Sequence, residues 1–229
     1  MIGFICAMDL EAAPLLAKMK NKRYATISGI KFTKGKLLEK DAVIAVSGVG
    51  KVFAAMCTQA MIMKYNPELI INIGVAGALK PEANQGEIAI CANVLQHDVD
   101  TTALGDLRGQ ISGLKKINFK CVQSSIQPLR DICKAMGIKE HRGPVASGDQ
   151  FIGDKKKKDD IYNWFGAVVC DMEAGAIGQV CYVNNVPLMS VKAISDKADG
   201  KAPESFAEYA DKGAALVTDV ICKYIQENL

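Results

Sequence analysis

At 229 residues, 49% of them hydrophobic, the chain can bury a substantial core, and its length suits one large α/β domain. With 28 basic and 25 acidic residues the formal charge is only +3, too balanced to gather nucleic acid or anionic lipid, so small molecules are the expected partners. The eight cysteines are scattered through apolar runs with no CxxC pair, which argues against a zinc site or a disulfide framework and points to a reducing cytoplasm; no stretch nears the roughly 18 apolar residues of a membrane span.

Short apolar runs alternate with longer segments of helical period, the pattern of a sheet with parallel strands and crossover helices. Met1 to Ala7 is apolar, but Asp9 and Glu11 interrupt it early and no basic segment precedes it, so Ile2–Ala7 reads as a first strand and not as a signal peptide. A helix is predicted over Glu11–Lys20, where Leu10, Pro14, Leu15, Ala17 and Met19 fall at helical spacing. Tyr24–Ser28 and Lys31–Leu37 straddle Gly29 and predict a structural hairpin beside the main sheet. Strand Ala42–Ser47, helix Lys51–Tyr65 and strands Leu69–Gly74 and Glu87–Ala92 follow. Thr101 to Lys120 is rich in Gly, Ser and charge without a period, and so long an irregular loop is usually functional or at an interface. After helix Ile126–Met136, the run Lys155–Lys158 resembles a phosphate-gripping patch, yet Asp159 and Asp160 behind it favour a solvated helix start near Tyr162 and Trp164. Strand Ala167–Cys170, helix Ala174–Tyr182, strand Leu188–Ile194 and helix Ser205–Glu227 complete the chain, with no internal repeat.

In an open α/β sheet, ligands bind beyond the carboxyl ends of the strands, where loops converge and helix N-termini present free N–H groups. Five predicted strand ends carry candidates: AMDLE with Asp9 and Glu11, SGVGK, GVAGAL, DMEAGAI with Asp171 and Glu173, and SDKAD with Asp196 and Asp199. Acidic residues near a helix start ordinarily cap it, and Asp9 and Asp171 are read that way. Glu11, Glu173 and Asp196 are harder to dismiss, because three carboxylates gathered at one sheet edge repel unless they bind or protonate something. SGVGK resembles the end of a P-loop, but Ala45 stands where the leading glycine belongs and Val52 follows the lysine. Neither that turn nor Gly74-Val75-Ala76-Gly77 completes GxGxxG; glycines there would let a flat ring approach the backbone. His97, in HDVD with Asp98 and Asp100, lacks the ligand count and spacing of a metal site, and no GxSxG elbow supports Ser/His/Asp hydrolysis.

The ordered series AM-D-L-E, SGVGKVFAA, INIGVAGAL, HDVD, SGDQFI, DMEAGAI and KAISDKAD resembles the 5′-methylthioadenosine/S-adenosylhomocysteine nucleosidases of the nucleoside phosphorylase superfamily, nearly end to end. The resemblance implies a three-layer α/β fold over residues 1–229, a mixed central sheet flanked by helices, acting as a homodimer without cofactor or metal on 5′-thio-adenosine nucleosides in methionine salvage. Asp196 would be the general acid that protonates the purine at N7, and Glu11 would activate the attacking water. Glu173, with the Met172 backbone, would hold the ribose hydroxyls, where hydrogen bonds strengthen as the sugar gains oxocarbenium character. Phe151 would stack on the base and Ile152 read its edge; Val49, Val75, Ala76, Gly77, Lys192, Ser195 and Phe206 would complete the substrate site. Three positions depart from the family pattern: Val75 replaces a serine and Lys192 an arginine on the water side of the ribose, and Leu104 replaces an aromatic residue that reaches across the dimer into the alkylthio pocket. A phosphorylase, a nucleosidase for a deoxyfutalosine-type 5′ group, and a nucleoside-binding protein without turnover are the rival readings.

Overall fold

The computed structural model describes all 229 residues. Its elements run β1 (Ile2–Cys6), α1 (Asp9–Lys18), β2 (Met19–Ile27), β3 (Ile30–Leu37), β4 (Lys40–Val46), α2 (Lys51–Tyr65), β5 (Leu69–Ala78), β6 (Ile88–Gln96) and β7 (Phe119–Lys120). Then come α3 (Ile126–Ala135), β8 (Glu140–Ser147), α4 (Lys155–Phe165), β9 (Val169–Asp171), α5 (Ala174–Val183), β10 (Leu188–Asp196) and α6 (Ala202–Asn228). No helix is long and apolar enough to cross a membrane, and all eight cysteines are buried free thiols.

β1 is buried along its length between parallel partners β4 and β5, the continuous apolar run of a strand covered on both faces. Alternation sorts its side chains. Phe4 joins a core with Leu15 of α1, Leu129 of α3 and Val217 and Ile221 of α6, whereas Ile5 joins one with Cys57 and Met61 of α2 and Ile177 of α5. Helices therefore cover both faces of a mixed sheet, giving three layers.

The sheet is not open. β10 pairs parallel with β5 and antiparallel with β6, and β8 and β9 bridge β6 back to β5, so this half closes into a ring. The Tyr24–Ser28 and Lys31–Leu37 hairpin does not lie beside the sheet but extends it, since β3 pairs with β4 from Lys31↔Val46 to Leu37↔Lys40. β2 starts at Met19, which ends α1 two residues before the predicted Lys20. β8 has no counterpart in the predicted elements because Gly143 and Pro144 disguise it; they sit where the β6–β8 register shifts, and a bulge tolerates the missing N–H.

The Lys155–Lys158 run forms the first turn of α4, the solvated helix start expected of this stretch, with Tyr162 and Trp164 further along the same helix. Asp154 caps it by accepting from the Lys157 N–H at 2.9 Å, and Lys156 pairs with Asp160 at 2.9 Å. In the Thr101–Lys120 loop a short 3₁₀ turn, Thr102–Leu104, precedes Asp106, whose carboxylate gathers Thr101, Gln110 and Ser112.

Candidate active site

The C-terminal ends of β1, β5, β9 and β10 surround a mostly apolar cavity of about 290 Å³, close to the size of small-ligand pockets. Glu11, Glu173 and Asp196 all line it, although they lie far apart in sequence.

Glu11 is the third residue of α1 and reaches back over the helix start. Its Oε2 accepts from the N–H groups of Ala7 (2.8 Å) and Met8 (3.0 Å), and its Oε1 from that of Val75 (2.9 Å). Glu11 is thus an end-group for α1 and a cavity carboxylate at once. A carboxylate offers about four acceptor positions, so three N–H bonds leave one lone pair free to face the cavity. Burial pushes its pKa up, opposed by the Lys192 ammonium and the three N–H groups.

Asp196 closes β10. Its Oδ2 accepts from the Ser195 hydroxyl (2.7 Å) and its Oδ1 from the Ala198 N–H (2.8 Å). Burial nonetheless raises its pKa, with Asp199 adding to the rise. Glu173, the N-cap of α5, sends its carboxylate away from that helix to accept from the Gly50 N–H at 2.8 Å. Burial and then Asp171 push its pKa up to about 7.

The GVAG segment is not a turn. It lies inside β5, and its glycines make room for carboxylates: a Cβ at Gly74 would run into Glu11 Oε1, and one at Gly77 would sit 2.9 Å from Asp196 Oδ1. Between them Val75 packs onto α6, where a Cβ at Gly213 would lie 2.9 Å from Val75 Cγ1.

Val49, Val75, Ala76, Gly77, Phe151, Ile152, Met172, Ser195 and Phe206 join the three carboxylates in the lining. Phe151, 49% exposed, stands at the mouth and meets Phe206 edge-on, ring centroids 5.8 Å apart. Lys192 and Leu104 do not line the cavity. Lys192 is 2% exposed and paired through Nζ to Asp171 Oδ2 at 2.8 Å, beneath the site. Burial alone would push this ammonium down, but Asp171, Glu11 and Glu173 hold its pKa above the ordinary lysine value. Leu104 is 83% exposed on the long loop.

Asp171 does more than the capping expected of it. It accepts from the Ala174 N–H at 3.2 Å, and it also neutralises Lys192, binds the Ser147 hydroxyl and lines the cavity. Asp9 is exposed with no capping bond. Ala7, Met8, Gln150 and Cys170 line the cavity too, without having been singled out from sequence. Ala7 and Met8 belong to the AMDLE motif and Gln150 to SGDQFI, while Cys170 directly precedes DMEAGAI, and that membership or adjacency was the available signal. No group of His, Cys, Asp and Glu is arranged to hold a metal. His97 is buried with Nε2 unpaired, pressed under Gly148, and burial lowers its pKa.

The sequence profile of the Phosphorylase superfamily matches residues 1–226. The 5′-methylthioadenosine/S-adenosylhomocysteine nucleosidase of Staphylococcus haemolyticus (strain JCSC1435) is 38% identical over 222 residues, which cover 96% of this chain and 97% of the relative. The Helicobacter pylori nucleosidase of the same name, solved with butyl-thio-DADMe-Immucillin-A, superposes with a TM-score of 0.94 at 29% identity over 99% of this chain and 97% of the other. Futalosine hydrolase of H. pylori strain 26695 reaches the same TM-score of 0.94 at 28% identity, over 99% and 97% of the two chains. The chain therefore belongs to the 5′-methylthioadenosine/S-adenosylhomocysteine nucleosidase family of the phosphorylase superfamily.

Proposed function

We propose that this protein hydrolyses the N-glycosidic bond of 5′-methylthioadenosine and S-adenosylhomocysteine, releasing adenine. The observation that carries the choice of water over phosphate is the charge of the lining: Glu11, Asp171, Glu173 and Asp196 face the cavity, and no lysine or arginine does. A dianionic phosphate would meet carboxyl groups and no cation there, whereas a neutral water needs one acceptor, which the free lone pair of Glu11 supplies.

In this reading water oxygen bonds to C1′ while its proton passes to Glu11. The C1′–N9 bond breaks, its electron pair enters the purine, and Asp196, whose pKa burial raises, delivers a proton to N7 as the general acid. Adenine leaves neutral. Glu173 and the Met172 backbone hold the ribose hydroxyls, with Phe151 and Ile152 against the base. Ala76, Gly77 and Ser195 shape the floor beneath the base, and Met8, Val49 and Phe206 form an uncharged wall suited to an alkylthio 5′ group.

A homodimer is supported by α2, which turns Val52, Phe53, Met56 and Met63 outward, and by exposed Leu104 and Leu107. Eight buried free thiols suit a reducing cytoplasm. The test is chromatographic detection of free adenine from methylthioadenosine, S-adenosylhomocysteine and a deoxyfutalosine-type nucleoside, with and without phosphate. Adenine release from the two thio-nucleosides in phosphate-free buffer is expected; strict phosphate dependence would overturn hydrolysis, and exclusive cleavage of the deoxyfutalosine-type compound would overturn the 5′ assignment.

A further inference from the structure

The HDVD motif lies outside the cavity lining, yet Asp98 is tied into both of the walls that flank the ribose and the base. Its Oδ1 accepts from Lys51 Nζ at 2.7 Å and its Oδ2 from the Asp149 N–H at 3.0 Å. Asp149 in turn accepts the Lys51 N–H at 2.7 Å, the first free donor of α2, and Lys51 Nζ also reaches Gln96 Oε1 at 3.1 Å. The Lys51–Asp98 pair is mostly buried, with side chains 18% and 17% exposed. Burial alone would raise the Asp98 pKa, but the ammonium and the Asp149 N–H hold it below the usual carboxylate range.

Two glycines allow this closure. A Cβ at Gly148 would collide with His97 Nε2 and lie 3.1 Å from Asp98 Cγ, so the loop carrying Gln150, Phe151 and Ile152 rests directly on HDVD. Gly50 has φ +102°, and a Cβ there would come within 3.1 Å of Asp149 Oδ1. That same Gly50 gives its N–H to Glu173.

We propose that Asp98 is a positioning residue for glycoside cleavage: it ties the Val49–Lys51 turn to the Gly148–Ile152 loop, fixing the base wall and holding the Gly50 N–H on Glu173. The proposal rests on the reading of Glu173 as the ribose carboxylate.

Asp98→Asn is nearly isosteric but leaves an amide N–H facing a donor at one end of the tie. Steady-state kinetics of methylthioadenosine hydrolysis should show kcat/KM reduced roughly ten- to a hundredfold, since small displacements of aligned groups are costly. The acid limb of the kcat/KM profile should move up by about one pH unit, because Glu173 loses the N–H that favours its ionised form. The sign is diagnostic. Glu173 is faced by Asp171, Glu11 and Lys192, all unchanged in the variant, and simple removal of the Asp98 charge would move the limb down. A parental kcat/KM, or a lowered melting temperature with an unshifted limb, would overturn the proposal.

Should Asp98→Asn fail to fold, Lys51→Met cuts the other end and should reproduce the loss in kcat/KM; a parental value there overturns the tie. Glu173→Gln separates the underlying reading. If it leaves rate and limb at parental values, the ribose assignment fails and the proposal with it; if it removes the limb while Asp98→Asn does not shift it, the tie alone fails.

Discussion

Lys192→Met removes the cation that offsets Asp171, Glu11 and Glu173 while keeping length and apolar volume. Asp171, paired to Lys192 at 2.8 Å with its side chain only 3% exposed, would then be a buried charge without a counter-ion. Breaking a buried pair from one side ordinarily costs about 3–5 kcal/mol. The lower end, about 3 kcal/mol, applies here, because Asp171 keeps the Ser147 hydroxyl and the Ala174 N–H. For a chain of this size that is a fall of about 6–12 °C in melting temperature. Deleting both partners in Lys192→Met/Asp171→Asn should recover much of the loss, since no unpaired charge remains. Lys192 also lowers the pKa values of Glu11 and Glu173, so its removal raises both further, and the acid limb of kcat/KM moves to higher pH. Thermal melts and pH–rate profiles of the parent, both single variants and the double variant check this. A Lys192→Met protein within about 1 kcal/mol of the parent, well under the cost of an unpaired buried charge, and with an unmoved acid limb would refute the reasoning.

Asp196→Asn should keep the fold, as the amide oxygen can still accept from Ala198 and the Ser195 hydroxyl can turn, but lose about 10²–10⁴-fold in adenine release; activity within about threefold of the parent, far short of that range, removes Asp196 from the acid role. Glu11→Gln should lower kcat and kcat/KM together and cost about 1–3 kcal/mol of stability, because an amide N–H must face one of the three backbone donors; a rise in KM alone would make Glu11 a binding residue. Glu173, with its pKa raised from 4.5 to about 7, contributes stability that is complete below pH 4.5 and lost as pH rises through about 7. Urea titrations should show a decline of up to about 3 kcal/mol across that window, flattened in Glu173→Gln; an identical decline in the variant assigns it to another group. Gly213→Ala should destabilise the parent by crowding Val75 Cγ1 but stabilise the Val75→Ser background by filling the space vacated, a sign reversal in melting temperature that independent sites would not give.

Much of the site was legible because its residues sit in ordered motifs at strand ends, and the fold delivers Glu11, Glu173 and Asp196 to one cavity. What was not legible are properties of partners. Asp171 looked like a cap, and it is one, but its pairing with Lys192 depends on β9 and β10 meeting across the closed half of the sheet, which alternation of strands and helices does not specify. The burial of Lys192 outside the cavity lining was not legible either, because a sequence cannot show which way a buried side chain turns. Gly74 and Gly77 looked like turn glycines, since the reason for them, carboxylates arriving from α1 and from the end of β10, lies far away in the chain. β8 was hidden by Gly143 and Pro144, whose cost is absorbed by a bulge visible only once β6 is beside it.

The same pairing bears on why this scaffold would use water. An ammonium 2% exposed under a cavity of this size could serve an incoming phosphate if it were free to turn upward. Asp171 prevents that: its Oδ2 holds Nζ at 2.8 Å, in a site where releasing either ion would leave an unpaired buried charge. The charge of Lys192 is then spent on its carboxylate neighbours, easing the repulsion among Glu11, Glu173 and Asp171 without offering the cavity a cation. A short aspartate in this position therefore does two jobs that cannot be separated by removing it: it caps the start of α5, which places Glu173, and it holds the Lys192 ammonium out of the cavity lining. Selectivity for water over phosphate on this fold is, in that view, a consequence of where the lysine's partner sits and not of whether a lysine is present.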